Sequence, residues 1–257
     1  AIFVHFFTKN RLDSYPKKWA LFLSVPNYEA RVFDRRQKTQ KHKNTPKNTK
    51  SGYKMRSLIA SLLFICCAFL AHAQTARVQI IHNAPDPTVD IYVNGLLAFD
   101  NAAFQQASPF TTVPAGLPLE VAVAPSNSVS ALEAVFKDTL VFESGKTYAV
   151  YALGVIFGNP PFELSVQETR ETSGNPAKVD FTFLQGSPNA PTLELSIFEG
   201  PTIASSLNYG QTSAFASVDT GKTYFQLRQT GTNVLLGTWL ADWGAFGGQA
   251  LRVFASG

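Results

Sequence analysis

The chain of 257 residues carries a formal charge of +4 and has a pI near 9.0, a balance that suggests an acidic partner such as nucleic acid. The charge is not evenly spread: residues 1–54 hold 13 Lys and Arg against 3 Asp and Glu, whereas residues 74–257 hold 8 against 15. A nucleic-acid footprint needs basic residues clustered on the folded domain. The body is acidic, so no nucleic-acid partner is expected.

The first 54 residues show no sustained period of 3.6 or 2. Their polar run Arg35-Arg36-Gln37-Lys38-Thr39-Gln40-Lys41-His42-Lys43 buries too little apolar surface to order itself. Residues 1–54 therefore read as an unstructured basic head upstream of the true start. Met55-Arg56-Ser57 then opens a short positive region, Leu58–Leu70 is apolar, and Ala71-His72-Ala73 supplies a small–x–small cleavage pattern before Gln74. Residues 55–73 read as a signal peptide. At 1.5 Å per residue the apolar stretch spans only about 20 Å, too short for a transmembrane anchor. Export to the periplasm, the outer surface or the medium is expected. Cleavage removes Cys66 and Cys67 and leaves His82 as the mature chain's one histidine, so disulfides cannot stabilise the body.

Along the body, short apolar-alternating runs are separated by Gly, Pro, Asn and Ser. In Thr88–Val93, Val89, Ile91 and Val93 share one face, and Asn94-Gly95 follows as a hairpin signal because both residues tolerate positive φ. Further strands are predicted at 77–82, 118–124, 139–142, 146–153, 162–167, 178–184, 192–198, 222–228 and 249–255. A weak helical period covers 128–137. Many short strands with few helices predict an all-β fold of sandwich type.

The second half echoes the first. Ala76-Arg77-Val78 matches Ala177-Lys178-Val179, and the loop and strand from Ala84-Pro85 to Ile91 match Ser187-Pro188 to Leu195. Residues 104–116 align without gaps on 209–221, with Gln106/Gln211, Ser108/Ser213, Phe110/Phe215, Val113/Val218 and Gly116/Gly221 identical. This is an internal repeat of roughly 100 residues. Gly145-Lys146-Thr147-Tyr148 recurs as Gly221-Lys222-Thr223-Tyr224 at a different phase, which reads as one turn-to-strand device on two different strands. The predicted organisation is a first module at 74–168, a polar linker at 169–176 and a second module at 177–257 that reads as truncated, each an Ig-like or transthyretin-like antiparallel sandwich.

Ile81-His82-Asn83-Ala84-Pro85-Asp86, continuing through Val89-Asp90-Ile91-Tyr92-Val93-Asn94-Gly95, resembles the opening of the bacterial family called domain of unknown function 4397. Phe110–Gly116 and Gly145–Tyr148 resemble its later strands, and the likeness covers nearly all of 76–257. The second copy departs from it, with Gln185 for His82 and Glu194 for Asp90. The resemblance implies exported or surface-attached sandwich modules, often in tandem, and no particular activity. Relatives of this kind in Bacteroidetes often end in a sorting segment.

The inventory of reactive side chains disfavours catalysis. A Ser-His-Asp triad would have to use His82, no nucleophile-elbow pattern surrounds any serine, and a zinc site needs three or four His or Cys ligands. His82 closes a strand before a Pro-containing turn and reads as structural. Asn83, Asp86 and Asp90 surround one loop and could hold calcium through oxygen ligands, although ordinary turn bonding of Asp and Asn to nearby backbone N–H groups is the favoured reading. Trp239, Trp243 and Phe246 fall within eight residues between glycines in a loop-like stretch. Exposed, they would form a stacking platform for sugars; buried, they would fill the second module's core. The leading expectation is a non-catalytic exported module that binds, adheres or spaces at the cell surface, with a surface protein or polysaccharide as partner. The alternatives are a carbohydrate-binding accessory module using Trp239–Phe246 and, less favoured, an enzyme resting on carboxylates alone.

Overall fold

The computed structural model describes residues 20–24, as backbone, and residues 74–256 apart from 86 and 233. The signal peptide and most of the basic head lie outside the described residues. Strand β1 is Ala20–Ser24. The first module contains β2 (Thr75–His82), β3 (Val89–Val93), β4 (Leu96–Ala102), β5 (Thr111–Pro114), β6 (Pro118–Pro125), β7 (Phe136–Val141), β8 (Thr147–Leu153) and β9 (Glu163–Thr169). The second contains β10 (Lys178–Gln185), β11 (Leu193–Ile197), β12 (Thr202–Leu207), β13 (Ala216–Asp219), β14 (Lys222–Gln229), β15 (Leu235–Asp242) and β16 (Ala250–Ser256).

Each module is a sandwich of two four-stranded sheets. In the first module the sheets run β4-β3-β6-β7 and β5-β2-β8-β9; in the second they run β12-β11-β14-β15 and β1-β16-β10-β13. Neighbours are antiparallel except for β2 with β8 and β10 with β16, which run parallel at the centre of their sheets. In the second module β1 pairs antiparallel with β16, the place that β9 holds beside β8 in the first. Among the described residues no helix is long and apolar enough to cross a membrane. The weak helical period at 128–137 becomes one 3-10 turn, Ala131–Glu133, in which Ser130 caps the Leu132 N–H, and then strand β7. That turn lays Ala131 over Tyr92, Ala122 and Ala124 on the outer face of β3 and β6.

Side-chain alternation sorts the inner strands into two faces. Val179, Phe181 and Phe183 of β10, with Leu251, Val253 and Ala255 of β16, enter the second module's core beside Leu193, Phe225 and Trp243. The intervening Leu184 and Phe254 point the other way and meet Ile81, Ala149, Tyr151 and Leu153 of β2 and β8. The two inner sheets therefore pack on each other, and the four sheets stack into one body. A strand buried on both faces needs an apolar run, which is why Tyr148–Leu153 lacks the polar alternation of a half-buried strand and Leu251–Ala255 is apolar but for the buried Arg252.

The internal repeat has a physical reason at several of its identities. Ser108 Oγ accepts the Ile80 N–H and donates to the Pro109 carbonyl; Ser213 Oγ accepts the Phe183 N–H and donates to the Ala214 carbonyl. Gln106 and Gln211 each accept the N–H three residues back, at Ala103 and Asn208. Gly116 and Gly221 both take positive φ, at 74° and 124°. These bonds set His82 in register with Gln185, since each N–H bonds the carbonyl of the corresponding glutamine, Gln106 or Gln211. The sequence match of 76–78 with 177–179 is corrected accordingly: Arg77, paired with Thr112, is structurally equivalent to Asp180, paired with Ser217. Short alignments in strands slip easily when several positions are apolar. The recurring Gly-Lys-Thr-Tyr leads into β8 in one module and β14 in the other, two different strands.

Candidate functional site

The features that chemistry would need converge on the seam between the modules. Its apolar centre is Ile81, Ala107, Ala149, Tyr151, Leu153, Leu184 and Phe254, with the Tyr151 and Phe254 rings edge to face at 6.4 Å. Around that centre lies a ring of polar bonds. Asn83 Nδ2 donates to the Gly186 carbonyl at 2.8 Å, and Gln105 Nε2 donates to Ser256 Oγ at 3.3 Å. Arg77 holds Glu171 through two bonds of 2.9 and 3.0 Å, and the Glu171 bonding raises the Arg77 pKa above its ordinary value. Arg170 bonds the buried carboxylate of Asp180 at 2.5 Å. Both Arg170 and Glu171 come from the segment read as a linker, whose polar residues tie the modules together.

The aromatic pair Phe110/Phe215 serves the same seam. The Arg252 guanidinium lies over Phe110, 4.8 Å from the ring centre, and Arg170 lies over Phe215 at 4.0 Å. Each phenylalanine of the repeat thus meets an arginine from across the seam or its connecting segment, a favourable arrangement when both are shielded from water. Arg252 is fully buried. Its Nη1 donates to the Arg170 carbonyl at 2.8 Å and to Thr169 Oγ1 at 3.3 Å. Burial pushes its pKa down to about 10, against the opposing pull of Tyr151 and Glu171. Burial likewise raises the Tyr151 phenol, while Arg252 and a hydrogen bond with Thr182 pull it back.

Beside this cluster a cavity of about 200 Å³ opens between β8, β9, β10 and the residues leading into β13. Tyr151, Gln167, Thr169, Thr182 and Thr212 supply its polar wall. A second hollow, of about 190 Å³, is lined by Val135, Phe136, Ile156, Phe157, Pro161 and Phe162, with no polar side chain to orient a ligand.

The predicted site residues lie elsewhere or in other roles. Trp239, Trp243 and Phe246 are all buried in the second module's core, and Trp239 sits on β15 rather than in a loop. Gly237 makes room for it, since a Cβ there would lie 2.3 Å from the Trp239 ring. None of the three presents a ring to solvent, so the sugar-stacking geometry is not met. Asn83 turns to the second module, while Asp90 accepts the Asn101 N–H at 2.9 Å and the Ser128 hydroxyl at 2.8 Å. Asp86 lies outside the described residues. Among the described residues no group of three or more His, Cys, Asp or Glu is placed to hold a metal ion. His82 Nε2 donates to the Pro87 carbonyl at 3.1 Å, bracing the loop that follows β2. Arg252 was not singled out in the sequence, although a lone charge inside the apolar run Leu251-Arg252-Val253-Phe254 is the signal that marks it.

The seam makes Gly186 sensitive. A Cβ there would fall 2.2 Å from Asn83 Nδ2 and 2.8 Å from the Ala255 carbonyl oxygen. Gly186→Ala is expected to cost about 1–3 kcal/mol through overpacking, measured by urea unfolding. The double variant Asn83→Ala with Gly186→Ala should recover part of that loss.

The described residues thus form two stacked β-sandwich modules with a buried seam between them. A family model described as "Domain of unknown function (DUF4397)" matches residues 76–196, and this region belongs to that family. Comparison with curated proteins gives no match.

Proposed function

We propose that the chain is an exported, non-catalytic β-sandwich protein that binds, adheres or spaces at the cell surface, with a surface protein or polysaccharide as its partner. The observation that supports this most is the seam: a shared apolar centre and paired charges make two modules one stiff unit. Stiffness suits a spacer, because ordering has already been completed before any partner arrives. The serine nearest the cavity, Ser213, is committed to backbone bonds on both sides, and Glu168 in the cavity wall is paired with Lys146. Neither is arranged as a nucleophile with a base.

Expression from Met55 in a Gram-negative host tests the export reading. Mass spectrometry of the mature protein should find an N-terminus at Gln74, and external protease should digest the protein on intact cells or in the medium. Retention in the cytoplasm with an uncleaved leader would reject it. Turnover of chromogenic esters or glycosides by the purified protein would reject the non-catalytic part separately.

A further inference from the structure

The inner sheet of the second module is completed by a strand from elsewhere in the chain. In the first module β9 follows β8 and pairs with it along Thr147–Leu153. In the second module the matching edge, that of β16, is taken by β1, with Leu21, Phe22 and Leu23 opposite Ala255, Phe254 and Val253. Ala255 and Val253 belong to the second module's core, and Phe254 belongs to the seam. The edge therefore runs between apolar layers on both sides. The segment placed on it, Ala-Leu-Phe-Leu-Ser, contains no charged residue and no proline.

Without β1, that edge presents a row of unpaired backbone N–H and C=O groups. The other edges of the inner sheets are guarded. Strand β5 contains Pro114, β9 carries exposed Glu163 and Glu168, and β13 ends at exposed Asp219. Proline and charge on an edge discourage a further strand from pairing. Strand β16 has no proline, and its one charged side chain, Arg252, is buried. On the export reading above, the mature protein begins at Gln74 and lacks β1, so this unguarded edge is free.

We propose that the β16 edge is a strand-acceptor site, filled in the mature protein by an extended apolar segment of a partner protein. The segment runs antiparallel to β16 and has at least five residues free of charge and proline, as Ala20–Ser24 has. Backbone hydrogen bonds supply the affinity of such strand addition. The residues opposite Val253, Phe254 and Ala255 supply the selectivity for an apolar sequence. The donor of the segment is the surface-protein partner of the reading above, on which only the loss of β1 from the mature chain rests.

The full chain tests the site independently of export. In the double variant Leu21→Pro with Phe22→Pro, one of the two lost N–H groups must face β16, because successive amides of a strand point to opposite sides. Hydrogen exchange followed by mass spectrometry should find alternate amides of Arg252–Ser256 protected in the unaltered chain and exchanging about tenfold faster or more in the variant. A labelled synthetic peptide of residues 17–27 should bind the variant one to one, restore that protection and raise Tm in a saturable way. The unaltered chain, its edge already filled, should bind the peptide about tenfold more weakly or worse. The chain recovered after export should bind as the variant does, and a peptide carrying both prolines should not bind. If the double variant fails to fold, Leu21→Asp decides by the same readings, since it keeps every backbone N–H and puts a charge opposite Ala255. Unchanged exchange in the variant, or equal peptide binding by both chains, would overturn the proposal. So would a dimer of the unaltered chain that the two prolines dissociate, because the edge would then serve a second copy.

Discussion

Trp243→Ala is expected to remove most of the second module's stability, a loss of about 3–5 kcal/mol. The indole is fully buried, stacked on Phe181 at 5.7 Å with a 17° tilt and edge-on to Phe225 at 5.9 Å. Phe181 comes from the inner sheet and Phe225 from the outer one, so the ring joins both layers of the sandwich. Truncation leaves a cavity among side chains that the β10–β16 and β11–β14 ladders hold in place, and such cavities collapse poorly. Typical domains are stable by only about 5–15 kcal/mol, so this one change approaches the whole margin. Trp243→Phe should cost less. It keeps an aromatic ring against Phe181 and deletes an indole N–H that is buried without a partner. Urea unfolding followed by far-UV circular dichroism separates the two variants; equal losses would mean that the indole edge, rather than ring stacking, carries the energy.

The same residue shows where sequence reading succeeds and where it stops. The alternation of Thr88–Val93 was legible as a strand, although its outer face is covered at Tyr92, and the Asn94-Gly95 turn takes positive φ at both residues, 48° and 79°. Short strands such as β5 and β13, four residues each, were not legible, because four residues carry too little alternation to register. Strand β15 reads as a loop because it contains Gly237, yet that glycine exists to let the Trp239 ring lie over it. The pattern of two sandwiches was visible in the repeat, but their packing was not. Tyr148–Leu153 and Leu251–Ala255 announce burial on both faces without saying against what. Arg77 meets Glu171, and Asn83 meets Gly186, across about a hundred residues of chain, and no local period encodes such pairs. The candidate site fell in that gap. Asn83 could be picked out as a polar loop residue, but its partner is a backbone carbonyl of the other module.

Leu184→Asp tests whether the two modules are one cooperative unit. Leu184 is fully buried, but it sits on the seam face of β10, next in sequence to the core residue Phe183, and not in the second module's own core. A carboxylate placed there faces Ile81, Tyr151 and Phe254, and an isolated buried charge costs several kcal/mol. The cheapest escape is to part the inner sheets and let water reach the new side chain. Each sandwich would then keep the core that Phe183 or Val150 fills and lose only the seam. Calorimetry should therefore change from a single transition to two, the second module melting first because its inner sheet carries the substitution. Protease should also begin to cut the 170–176 segment, once Arg170 and Glu171 lose their partners. Leu184→Ala, which weakens the seam without charging it, should lower Tm by less and keep one transition. Two transitions in the unaltered chain would show that the modules already melt independently, and the seam would then be a contact rather than a shared core.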